Sequence, residues 1–143
     1  MADPLSIAAS VAGLIALSGG ICKLIRAFIR HVTNPPQYAQ ILLLSVMEMR
    51  MVLESVSDMI DNLSKFLPIR RAIVRLNHLI ICLTKTSFSF SELQKLIDLL
   101  IMKRQKPFWQ RLQLAMKNER ITRINNELHE NKISINLVLT ILQ

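Results

Sequence analysis

Three histidines, two cysteines and ten carboxylates are the groups in this 143-residue chain able to carry covalent, acid–base or metal chemistry. Their spacing gives them no shared task. His31, His78 and His129 form no metal-ligand pattern, and no Glu is followed three residues later by His, the step a carboxylate-bridged metal bundle uses on facing helices. Cys22 and Cys82 both fall in apolar helical context and read as buried thiols of an intracellular protein rather than a disulfide. The run from Ser18 to Lys23 lacks the glycine spacing and Lys-Ser/Thr ending of a phosphate loop. No serine or cysteine stands at a nucleophile elbow. The expectation is a non-enzyme with no metal, cofactor or small-molecule substrate.

The remaining chemistry is positive charge. Eighteen Lys and Arg stand against ten acids, a net charge of +8, which favours anionic partners. Lys23, Arg26 and Arg30 occupy one side of a helical stretch, opposite a stripe of Ile21, Leu24, Ile25, Phe28 and Ile29. Between residues 103 and 123, Lys103, Arg104, Lys106, Arg111, Lys117, Arg120 and Arg123 face a single acid, Glu119, with Phe108 and Trp109 among them. Anionic lipid suits this cluster, since Trp favours the headgroup level. Nucleic acid suits it too, through base stacking, and so does plain solvation of a helix face that Trp109 plugs at one end.

Upstream of Lys23, the nineteen residues from Pro4 to Cys22 carry no charge, and as a helix they would span about 28 Å. Ten of the nineteen are Ala, Ser or Gly, and Asp3 stands where a secretory signal would carry Lys or Arg. The segment is apolar enough to enter a bilayer and not apolar enough to be held there alone. Two readings stay open: a buried central helix approached closely by its neighbours, or conditional membrane insertion. Ala9 and Gly13, and likewise Ala12, Ala16 and Gly20, repeat small residues four apart, the spacing that lets helices pack closely in membranes.

Hydrophobic period supplies the elements. One heptad seam runs Leu42, Val46, Met49, Leu53, Val56, Ile60, Leu63, Leu67, with Pro35 and Pro36 suited to the first turn of its helix. A second runs Leu76, Leu79, Leu83, Thr86, Phe90, Leu93, Ile97, Leu100. Ser91 and Gln94 could form a capping box there, but the seam keeps its phase through Ser87–Ser91, so one long helix from about residue 69 to 104 is expected. A third seam runs Ile121, Ile124, Leu128, Asn131, Ile135, Val138, Leu142, with Asn131 its single polar position. With aromatics at only 5%, a β fold is excluded in favour of an all-α, up-down antiparallel bundle of about four long helices with an apolar N-terminal helix. The short links at 31–36, 67–69 and 104–108 predict that consecutive helices are neighbours, with the seams of the second and third facing each other. The chain reads as one domain.

The opening Asp3, Pro4, Leu5, Ser6, Ile7, Ala8, Ala9, Ser10, then Gly13 and Leu14, resembles the start of HeLo-like N-terminal domains of fungal STAND (NOD-like receptor) proteins. The likeness continues in Pro36, in the Leu79/Cys82 step and in the stretch from Trp109 to Lys132, and departs at Asn131, where an aromatic is expected. It implies a single domain over residues 1–143, with a membrane-active helix at 1–31 and a bundle body at 36–143. It further implies a cell-death effector, cytoplasmic until activation and then relocating to the plasma membrane as a homo-oligomer. A C-terminal receptor or amyloid-type signalling module, in cis or in trans, would cluster it. On that reading Leu5, Ile7, Val11, Leu14, Ile15, Leu17 and Ile21 enter the membrane, and Ala9, Ala12, Gly13, Ala16 and Gly20 form the surface between helices. Lys23, Arg26, Arg30, Lys103, Arg104, Lys106, Trp109 and Arg111 then meet anionic phospholipid. A passive homotypic-assembly adaptor and, less favoured, a nucleic-acid-binding bundle are the alternatives.

Overall fold

The computed structural model describes four helices and the residues within them: α1 (Pro4–His31), α2 (Gln37–Leu63), α3 (Arg70–Met102) and α4 (Glu119–Leu142). There is no strand among the described residues. Each seam expected from the sequence faces inward wherever its side chains are described. In α2 Leu42, Val46, Met49, Leu53, Val56 and Ile60 are buried; in α3 the run from Leu76 to Leu93 is buried; in α4 so is the run from Ile121 to Val138, Asn131 included. The side chains of Leu63, Ile97, Leu100 and Leu142, and all of Pro35, Pro36 and Leu67, lie outside the described residues.

Helix α3 continues without a break through Ser87–Ser91. Its polar run stays helical because the hydroxyls turn back onto their own backbone. Thr84 donates to the carbonyl of Ile80 and Thr86 to that of Cys82, while Ser89 shares its one proton between the carbonyl of Lys85 and the nearer carboxylate of Glu127, so that buried Thr86 and Ser89 cost no unpaired donor.

Helices α1 and α2 run antiparallel, since Gly19 lies beside Arg50 while Arg26 reaches Met47. Helices α3 and α4 do the same, with Glu92 meeting Arg123 and Ser89 meeting Glu127. Around the bundle, α1 packs on α2 and α3, and α4 packs on α3 and α2. The expectation that α2 and α3 pack face to face is therefore overturned: they lie across the bundle from each other. Heptad seams aim every helix at a common centre and leave the choice of neighbour to the flanks. On α2 those flanks are Arg50 and Met47 toward α1, and Glu48 toward Lys132 of α4.

Helix α1 also corrects the picture of a central helix. It is one of four around the core, with a seam of its own at Ile7, Val11, Leu14, Ser18, Ile21, Ile25 and Phe28, all buried. A single apolar cluster draws on all four helices.

Candidate functional site

The site expected from the sequence is α1 and the cations that follow its charge-free stretch. Of the proposed insertion residues, Ile7, Val11, Leu14 and Ile21 are buried in the core, while Ile15 and Leu17 are partly buried against it. Leu5 belongs to the first turn, but its side chain lies outside the described residues. Residues Ser6–Arg30, 25 in all, are long and apolar enough to cross a membrane by length and composition, and a third of that window is buried in the bundle.

The small-residue surface does not do what the sequence suggests. Ala9, Ala12, Gly13, Ala16 and Gly20 are all exposed, and a Cβ added at Gly13 or Gly20 would meet nothing within 4 Å. Among the described residues, no neighbouring helix makes a close approach at Gly13 or Gly20. The reason is side-chain volume: burying Ile, Val, Leu and Phe removes far more apolar area from water than burying Ala or Gly, so the large residues win the inward face. What is left outside is a row of small residues along the charge-free stretch before Lys23. Gly19 differs. The Arg50 guanidinium lies over it, 3.7 Å from where a Cβ would stand, an ordinary van der Waals distance.

The seating of α1 is almost wholly apolar. Its buried seam hydroxyl, Ser18, donates to the carbonyl of Ile15 at 2.7 Å, a bond internal to the helix. Among the described residues α1 takes part in no ion pair; its side-chain polar contact to a neighbour is Arg26 Nη2 to Met47 Sδ at 3.5 Å. On the α3 side, a groove of about 510 Å³ opens between Ser10, Leu14 and Leu17 of α1 and Ile80, Leu83 and Thr84 of α3. Burial pushes the thiols of Cys22 and Cys82 above the ordinary cysteine value, outweighing Arg26 at the first and Lys85 at the second, and both are free.

Lys23, Arg26 and Arg30 are exposed and lie opposite the stripe of buried Ile21, Ile25 and Phe28, as their spacing predicts. The rest of the expected lipid contact, Lys103, Arg104, Lys106, Trp109 and Arg111, lies outside the described residues. No group of three or more metal-binding side chains occurs among the described residues. The sequence reading gave no role to a second exposed apolar row, Ile41, Leu44, Met47 and Met51 on α2. Its signal was present: the run from Ile41 to Met51 holds more large apolar residues than its seam can bury.

Fold and site together define a four-helix bundle whose N-terminal helix is apolar on both faces up to Cys22 and is held by packing. No family model matches the chain, and neither a curated protein nor a solved structure matches it.

Proposed function

We propose that this chain is a membrane-disrupting, pore-forming effector domain that executes regulated cell death of the fungal incompatibility and innate-immunity type. In this reading the domain rests in the cytoplasm as a closed bundle. Clustering by a C-terminal receptor or amyloid-type module releases α1, and several copies of it enter the plasma membrane together. Lys23, Arg26 and Arg30 stop at the anionic headgroups, and the small-residue row lets the inserted helices associate, because lipid offers no hydrophobic drive for association.

The observation that carries the reading is the way α1 is seated. A span-length apolar helix sits in the bundle without an ion pair among the described residues, and its one buried hydroxyl is satisfied within the helix. Its departure strands no charge, and in lipid its own hydrogen bonds stay closed. What it loses is apolar burial, which a bilayer returns.

Deleting residues 1–22 would remove Ile7, Val11, Leu14 and Ile21 from the core as well as removing the segment, so a lock is the cleaner test. Gly19→Cys with Arg50→Cys, bridged by a reducible bifunctional thiol reagent, ties α1 to α2; the native thiols are buried and poorly ionised. The locked protein should not leak anionic liposomes, and cleaving the bridge should restore leakage. Equal leakage in the locked state would overturn the proposal and leave the passive adaptor.

A further inference from the structure

The outer face of the α1–α2 pair carries an arrangement that release of α1 does not explain. Ile41, Leu44, Met47 and Met51 are 45%, 56%, 36% and 65% exposed, and steps of three and four put them along one side of α2. Beside this row run Lys23, Arg26 and Arg30 of α1, with the Arg26 guanidinium 3.5 Å from Met47 Sδ, so the two rows share one surface. Among the described residues none of the three cations has an ion-pair partner. Residues 19–31 and 37–51 contain one acid, Glu48, which is half-buried and neutralised by Lys132. Further along α2 the outer surface turns acidic at Glu54, Asp58 and Asp61.

We infer that this face docks the still-folded bundle onto an anionic phospholipid surface. The chemistry is that of an interfacial helix: cations to meet the headgroups, beside Ile41, Leu44 and the unbranched, adaptable Met47 and Met51, which reach the acyl boundary. Charge decides against a second copy as the occupant. A two-fold contact centred on this face would crowd Lys23, Arg26 and Arg30 of one copy close to those of its mate, and the one acid on the face, Glu48, is already paired with Lys132. The acidic stretch from Glu54 to Asp61 disfavours contact at the other end, so the lipid surface is approached from one direction. The membrane as partner follows the function proposed above, but α1 stays in place during docking.

The test uses the full chain, sedimented with vesicles of phosphatidylcholine alone and of phosphatidylcholine with phosphatidylserine at low salt. The wild type should prefer the anionic vesicles. Lys23→Gln/Arg26→Gln/Arg30→Gln should bind them about 100-fold less tightly, the loss expected for three surface cations. Leu44→Ser/Met47→Ser/Met51→Ser should weaken binding at least about 10-fold, and both variants should melt like the wild type, since the altered residues are exposed. Unchanged vesicle affinity in either triple variant overturns the docking surface. So does wild-type vesicle binding combined with loss of self-association, which would make a second copy the occupant. The bridged Gly19→Cys/Arg50→Cys protein separates the two proposals. If it binds vesicles without leaking them, both stand; if it binds and leaks, docking survives and release fails.

Discussion

Between α1 and α2 the described polar contacts are a guanidinium lying against a thioether and a second guanidinium resting over Gly19. Between α3 and α4 they are an ion pair, Arg123 to Glu92 at 2.6 Å, and a hydrogen bond from Ser89 to Glu127 at 2.9 Å. Both pairs bury full apolar seams. They differ in what separation leaves behind. Pulling α3 from α4 breaks partnerships that only water or another polar group can replace. Pulling α1 from α2 exposes apolar surface that any apolar medium can cover. The bundle thus contains a pair bound by chemistry specific to each other and a pair bound by a non-directional force.

The contrast is sharpest at two buried serines. Ser89→Ala removes a hydroxyl that joins α3 to Glu127 of α4, and should cost about 1 kcal/mol in urea unfolding. Ser18→Ala removes a hydroxyl that serves only its own helix, and should leave the unfolding midpoint close to wild type. Equal costs would mean that α1 has a polar tie after all and would break the comparison.

A smaller effect probes the outer row of α1. Gly13→Ala and Gly20→Ala fill open space in mid-helix, so each should stabilise the resting bundle by about 0.5–1 kcal/mol, read from the thermal midpoint. Gly13→Leu and Gly20→Leu should likewise fold, yet reduce liposome leakage if inserted copies pack through these positions. Leu variants that leak normally would assign the row no role in lipid.

The inward faces of α2, α3 and α4 were legible because large apolar and polar residues alternate at helical period, as in Leu42 to Ile60. The face of α1 up to Cys22 was not, because both its sides are apolar there and hydropathy carries no period. Side-chain size does: Ile7, Val11, Leu14, Ile21, Ile25 and Phe28 against Ala9, Ala12, Gly13, Ala16 and Gly20. The order of helices around the core was hidden for a different reason. Neighbours are chosen by flank residues such as Glu48 and Lys132, which look in sequence like ordinary solvated charges. Cations 23, 26 and 30 were readable as a row, but their meeting with Leu44, Met47 and Met51 arises only when α2 folds back along α1.

The placement of α2 directly after α1 also sets an order of assembly. Contacts between these two helices close a short loop, whereas the tie from Glu48 to Lys132 joins residues 84 apart. Short-range contacts form sooner because less chain entropy is lost in closing them. During synthesis from the N-terminus, the apolar opening segment therefore finds its first cover in α2, before α3 and α4 have left the ribosome. A chain stalled just after α2 has emerged should already shield Cys22 from alkylation, and a Cys22 that reacts freely until α4 has emerged would refute this order. The helix proposed to attack membranes thus waits only for the helix next to it in the chain, and not for α3 or α4, to gain its first cover.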